Sequence, residues 1–435
     1  MNGTERARRN EFWFWTLMLF LGGIDGFKLL EPLRELGARP FFLVFLVATA
    51  ILLQRKKLLI DFKALLGFGT ICFVSLLGFL FFGASLTPFG DKAPFTQFVA
   101  HAILFLLGFS PIFLKFRSKL SERTLIKAAV TAMALHGVFL AIDELAILTD
   151  STRPFESSFL GSIGRTFPTG LFSEPSYVAA YLGVLLPVSF YRARLMAIIL
   201  CSTIACALFY IGDVRSFFVI FAAGMFALIL VRWGLSWKAL LAAAFLGLLV
   251  AVAATALNLL TVEESLSSAY RFGNTLSYLD HAISHNLLIG DGFGSSHFLY
   301  PRLNFPAFIY LSPEFNDMLG GSGNRVPVFN LWVRLFIEVG VIATFILLAW
   351  FTRRFLAARL SDVATIFVVA SFVCSMSADS YIYGMFTVAL MLLFSVQLGN
   401  DNMPELSGKK RRRKFPWSLL VTTNVPTFER IKTTC

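Results

Sequence analysis

Twelve apolar runs recur along the chain, near residues 12–30, 40–54, 63–83, 97–115, 125–148, 176–191, 195–211, 217–232, 236–260, 328–351, 362–379 and 381–398. A helix needs about 20 mostly apolar residues to cross a bilayer. The second, sixth, seventh and eighth runs are short of that, and the others meet it or come close. In hydrocarbon every backbone N–H and C=O must find its partner inside the protein, which leaves helices as the natural reading of such runs. The expected fold is therefore all-α, a polytopic membrane helix bundle of about 12 transmembrane helices. Composition agrees, with 57% hydrophobic residues, 49 phenylalanines and only 15% charged residues, where a soluble domain carries about 25% charged. The mean hydropathy is +0.73.

Lysine and arginine set the expected orientation. The clusters are Arg6/Arg8/Arg9, Arg55/Lys56/Lys57, Lys115/Arg117/Lys119/Arg123, Arg192/Arg194, Arg232/Lys238, Arg353/Arg354/Arg359 and Lys409–Lys414. With twelve crossings, all of them fall on one side, which is then cytoplasmic and holds both termini. Residues 1–400 form the expected integral membrane domain, and 401–435 a basic cytoplasmic tail suited to anionic headgroups. The net charge of +12 is this bias. Nucleic-acid binding would need a basic face on a folded module. Gly22, Gly23, Asp25 and Gly26 read as a polar break late in a retained first helix. Cys72, Cys201, Cys206, Cys374 and Cys435 have neither a disulfide framework nor zinc spacing.

The outer segments are then 31–39, 84–96, 149–175, 212–216, 261–327 and a turn near 380. Segment 261–327 is far longer than an ordinary helix connection. Long loops of this kind carry function, and short helices lying over the outer face are expected in it. No internal repeat is visible.

The positive-inside bias disfavours basic residues outside, yet the outer segments hold, among other basic residues, Arg153, Arg165, Arg215, Arg271, Arg302 and Arg325. Guanidinium forks bind phosphate and carboxylate, so the set suggests a pocket for an anionic ligand. Each arginine taken singly also fits an ordinary exposed or ion-paired residue. Arg215 stands in the turn Gly212–Ser216, at the membrane boundary, where a charge needs a partner or water; Asp213 is the competing structural partner. Glu174 precedes Pro175 at the start of a run. It is either a carboxylate favoured by the helix dipole or a general base for a sugar hydroxyl. Arg334 and Glu338, one turn apart, either neutralise each other or serve a site inside the membrane. His281, His285 and His297 share the long segment. A metal there would need Asp280 or Asp291 as a third ligand, and no metal or cofactor is expected.

Three stretches carry a resemblance. Arg165, Gly170, Phe172, Glu174 and Pro175 form the pattern R-x4-G-x-F-x-E-P. Residues 281–294 read HAISHNLLIGDGFG, similar to a glycine motif of a long periplasmic loop. Asn330, Glu338 and Gly340 resemble the start of the following span. Together, from about 160 to 350, the chain resembles the O-antigen polymerase and ligase superfamily; the first four runs match only in hydropathy.

The resemblance implies a metal-independent glycosyltransferase of the bacterial inner membrane. It would polymerise oligosaccharide repeat units carried on undecaprenyl diphosphate, at the periplasmic face, for O-antigen, capsule or exopolysaccharide. Its implied partners are polyprenyl-diphosphate-linked glycans, membrane lipids, and a chain-length regulator and flippase of the same pathway. Glu174 and Arg215 take the catalytic roles. Arg165, Arg271, Arg325, Asn330, Arg334 and Glu338 are the substrate-binding candidates. Ligases of the superfamily carry His-Asn entering the later span, and here Phe329 stands before Asn330. That departure favours polymerase over ligase and directs attention to Glu174 as base. A lipid-linked oligosaccharide flippase or transporter is the alternative of another class, although such proteins show repeat symmetry and midplane polar sites. An O-antigen ligase, with a different residue replacing the histidine, and a non-catalytic membrane scaffold are the remaining ones.

Overall fold

The computed structural model describes residues 3–24, 40–54, 58–86, 93–116, 119–149, 151, 168–172, 175–211, 216–233, 266–285, 288–299, 302–311, 315–316, 328, 330–357, 360–377, 384–395 and 397–399. Among them lie twelve α-helices. These are α1 (Gly3–Gly22), α2 (Pro40–Gln54), α3 (Phe62–Phe81), α4 (Pro94–Phe109), α5 (Glu122–Leu148), α6 (Pro175–Ser189), α7 (Leu195–Ile211), α8 (Ser216–Arg232), α9 (Leu266–His285), α10 (Leu331–Ala357), α11 (Asp362–Ser377) and α12 (Gly384–Leu390), the last continued by a π-turn over Met391–Ser395. Eleven of the twelve apolar runs have a helix at their position. The ninth run, 236–260, and the tail, 401–435, lie outside the described residues. The first helix starts well before its apolar run because the polar stretch from Gly3 joins it, and it stops at Gly22.

Four segments are long and apolar enough to cross a membrane: Phe62–Ser85, Pro94–Ile112, Glu122–Leu148 and Leu331–Leu356. Five shorter apolar helices accompany them, at Pro40–Gln54, Leu195–Tyr210, Ser216–Arg232, Asp362–Met376 and Gly384–Phe394. The helix faces show why an apolar surrounding is required. On α3 the outward row Leu66, Phe73 and Leu80 is 75%, 58% and 58% exposed, while Phe68, Ile71 and Phe79 are buried. Leu148, Met196 and Phe81 are exposed likewise. An apolar surface this extensive calls for lipid rather than water.

Local sequence explains several helix ends. Asp61 caps α3 by accepting from Ala64 N at 3.3 Å, and Ser121 caps α5 by accepting from Thr124 N at 3.1 Å. Both satisfy an amide that the helix itself leaves without a partner. Pro175 opens α6, where its missing N–H costs nothing. Helix α8 packs between α6 and α11. Gly224 makes this possible, since a Cβ there would stand 2.6 Å from Pro187 Cγ and 3.3 Å from Ala370 Cβ.

Hydrogen bonds sort the helix ends into two groups. At one end, β1 (Leu58–Ile60) pairs antiparallel with β2 (Leu114–Phe116), and β3 (Lys119–Ser121) pairs parallel with β4 (Gln397–Gly399). These three-residue strands are a small departure from the all-α expectation. They form because the connecting segments leave the helices extended and side by side. The same end holds the Lys115–Asp61 ion pair at 2.6 Å. Arg232 Nη2 there donates to the carbonyls of Phe190, Tyr191 and Ala193 at 2.7, 2.9 and 3.1 Å. Tyr191 donates to Asp362 Oδ2 at 2.5 Å. At the other end Arg302 reaches Ser85 O, Asp143 holds Thr169 and Gly170, and the segment 288–299 packs on α3, α4 and α10. Among the described residues, the ends of α3, α4, α5 and α6 thus fall in turn in one group and the other.

A second apolar cluster lies at that other end, where Tyr278 and Ala282 of α9 and Phe298 and Leu299 pack with Val333 and Ile337 of α10. Within 261–327 the described residues hold α9 and 3-10 turns at Ser295–His297 and Ala307–Leu311.

Candidate functional site

The site is built around an interruption in α10. Asn330 opens that helix, its Oδ1 accepting from Trp332 N at 2.9 Å and Val333 N at 3.2 Å. Ten residues later Gly340 takes φ 78°, ψ 171°, a conformation open to glycine and costly for other residues. The break turns two carbonyls away from the helix ladder. Asp291 N donates to Ile337 O at 2.7 Å, and Gly292 N donates to Glu338 O at 3.1 Å. Ser75 of α3 joins from below, donating to Glu338 O at 3.2 Å and accepting from Phe293 N at 3.0 Å. The loop lies so close that a Cβ on Gly340 would stand 2.2 Å from Leu288 O, and one on Gly290 2.6 Å from Gly340 N. The glycines of GDGFG and the glycine of the α10 break are therefore the two halves of one backbone contact.

This contact presses a polar network into the protein. Arg334 Nε donates to Glu338 Oε1 at 2.9 Å, with side chains 1% and 0% exposed. Ser296 Oγ donates to the same carboxylate oxygen at 2.8 Å. Arg334 Nη2 lies 3.3 Å from His297 Nε2, and His297 Nε2 lies 2.8 Å from His101 Nε2. The last residue is on α4, two turns from its start, and is 6% exposed. Above the network Tyr278 donates to Ser296 O at 3.0 Å, and His281 Nε2 meets Asp291 Oδ2 at 2.9 Å. Buried charges persist when paired and hydrogen-bonded, and Glu338 meets both conditions.

The candidates from sequence divide as follows. Arg334 and Glu338 enter the site, and they pair with each other. Asn330 adjoins it, with its side-chain oxygen engaged as the helix cap. Arg271 is a residue of α9. Glu174, Arg215, Arg165, Arg325 and Arg153 lie outside the described residues. Arg302 is exposed and donates to Ser85 O at 3.3 Å. Of the three loop histidines, His281 takes Asp291 as partner and stacks on His285 at 4.5 Å, and His297 joins the network. The backbone carbonyl of Asp280 accepts from Ser284 Oγ at 2.7 Å. Among the described residues no group of three or more His, Cys, Asp or Glu is gathered for a metal.

Two members were missed from sequence. Ser296 carries no distinguishing pattern. His101 stands in an apolar run, and the signal that could have found it is that rule by which an ionisable residue inside a span is a functional candidate.

A second anchor lies nearby in the chain. Asp143 of α5 is 0% exposed and accepts from Thr169 N at 2.7 Å and Gly170 N at 3.1 Å. Phe172 packs at a tilt on His136, ring centroids 4.7 Å apart, whose Nε2 lies 2.8 Å from Phe20 O. This fixes residues 168–172 on α5 immediately before α6.

Chemically, the network is a buried guanidinium–carboxylate pair set beside two imidazoles. No family model matches the chain, and no curated protein matches it.

Proposed function

We propose that the chain crosses the bacterial inner membrane about twelve times, with both termini cytoplasmic, and that it is a glycosyltransferase. It polymerises undecaprenyl-diphosphate-linked oligosaccharide repeat units at the periplasmic face. One observation carries the reading. Two stretches singled out separately by resemblance, HAISHNLLIGDGFG and Asn330–Gly340, meet in space through the contact of Gly290 with Gly340 and the Asp291 N to Ile337 O bond. Their meeting point encloses charged groups at the end of the bundle where the long loop lies. The alternation of helix ends from α3 to α6 supports the crossing pattern.

In this reading the diphosphate is the leaving group. Arginines neutralise the charge it gains as the glycosidic bond breaks, which is stabilisation of the transition state by charge placed in advance. Arg334 contributes from inside, and Arg215, Arg165, Arg325 and Arg271 from the outer segments. The loop orients donor and acceptor sugars. Apolar surfaces between helices take the polyprenyl tails.

Deletion of the gene followed by analysis of surface glycan is the test. Chains reduced to a single repeat are expected. Unattached full-length polymer would make it a ligase, and lipid-linked units trapped in the cytoplasm would make it a flippase.

A further inference from the structure

Asp143 lies in α5, one of the four segments long and apolar enough to cross a membrane, and its side chain is 0% exposed. A carboxylate inside such a segment is costly, and one that persists points to function. Its Oδ2 accepts two successive backbone amides, Thr169 N at 2.7 Å and Gly170 N at 3.1 Å. Successive N–H groups at a turn form a concavity for an anion, and Asp143 fills this one. Gly170 takes φ 55°, and a Cβ on it would stand 3.2 Å from Leu140 N and from Phe139 C. The turn therefore rests directly on the α5 backbone. It is closed by Phe172 N donating to Thr169 O at 3.0 Å.

A second grip lies two turns back on α5. His136 Nε2 is 2.8 Å from Phe20 O; a carbonyl only accepts, so that nitrogen carries the hydrogen. The ring so fixed packs against Phe172, which is 1% exposed and also meets Tyr181 of α6, ring centroids 5.4 Å apart. Pro175 then opens α6. Glu174 lies outside the described residues, but the chain places it two residues after Phe172 and directly before Pro175. Both ends of that short link are anchored.

We propose that Asp143 is a positioning residue of the polymerisation reaction, acting through the Thr169–Phe172 turn on Glu174. This rests on the polymerase reading and on Glu174 as its base. In that reaction the acceptor hydroxyl gives its proton to Glu174 as its oxygen bonds to the anomeric carbon of the donor. The bond from that carbon to the diphosphate oxygen breaks, and its electron pair leaves with the polyprenyl diphosphate. Asp143 supplies no proton to this step. It sets where the base stands.

The test uses purified full-length protein in lipid vesicles, with lipid-linked repeat units extracted from cells lacking this chain as the probe. Asp143→Ala should lower the polymerisation rate about 10²-fold, the effect of a misplacement of about 1 Å. Asp143→Asn should keep most of the rate, because its side-chain carbonyl can still accept both amides. The deciding readout is coupling. Added to Glu174→Gln, or to Glu174→Asp where the glutamine variant makes no polymer, Asp143→Ala should change the rate by no more than about twofold. A merely structural residue would lower both backgrounds by the same factor. If Asp143→Ala does not fold, Gly170→Ala, which strains the same turn, should show the same coupling. A wild-type rate in Asp143→Ala, equal losses in the two backgrounds, or Asp143→Asn as slow as Asp143→Ala would overturn the assignment and leave the polymerase reading intact. So would a full rate in Glu174→Gln. No polymer from the wild type would remove that reading, and this inference with it.

Discussion

Arg334 Nε and Glu338 Oε1 are 2.9 Å apart on one helix, and neither side chain reaches solvent. Because both charges are buried, removing one partner strands the other. Glu338→Ala or Arg334→Ala is expected to cost about 3–5 kcal/mol, read as a lowered unfolding temperature in detergent. Replacing both by apolar residues, as in Arg334→Met with Glu338→Leu, should recover much of that stability while polymer formation stays lost. Recovery of both would show the pair to be structural only.

Gly340→Ala tests the break in α10. Its φ of 78° and the approach of Leu288 O to 2.2 Å from a Cβ leave no relaxed place for a methyl group. A strained backbone alone costs about 1–3 kcal/mol, and the clash adds to it. The variant should accumulate poorly in membranes. Accumulation at the wild-type level, with the loop equally protected from protease, would mean that the loop does not need this contact.

Tyr191 carries a pH signature at the opposite end. Burial first, and then its hydrogen bond to Asp362, hold its hydroxyl well above the ordinary value of 10.0. A group raised in the folded state stabilises it fully below the unfolded value and loses that contribution as pH rises toward the folded one. Stability should therefore fall above about pH 10, the ordinary tyrosine value. Tyr191→Phe should flatten this alkaline loss when unfolding is followed against pH. An unchanged alkaline slope would show that the hydroxyl ionises freely in the folded state.

The polymerase reading assigns roles in the outer segments to Arg215 and Glu174. Arg215→Ala should abolish polymer at normal protein level. Arg215→Lys should also lose most activity, because an ammonium cannot make the two-pronged contact of a guanidinium; full activity of the lysine variant would remove that argument. Glu174→Gln should lower polymer yield, and normal chain length would exclude an essential carboxylate there.

Topology is checked by reporters. An alkaline phosphatase fusion within 261–327 should be active, and a cytoplasmic reporter at the same place silent. The reverse pattern would invert the proposed orientation.

The sequence by itself determined the helices. Apolar runs and Pro175 at a helix start are local features, and local features survive without knowledge of the fold. It also determined where the basic clusters lie between the apolar runs. Tertiary structure decided the site. His101 and His297 are 196 residues apart in sequence, and a lone histidine in an apolar run has no periodicity that names its partner. Gly340 reads as one more glycine until Leu288 and Gly290 are seen against it. Arg334 and Glu338 were legible as an i, i+4 pair, because that spacing is fixed by the helix. That the pair is buried, and shared with Ser296 and His297, depends on which loop folds over it, and no helix period encodes that.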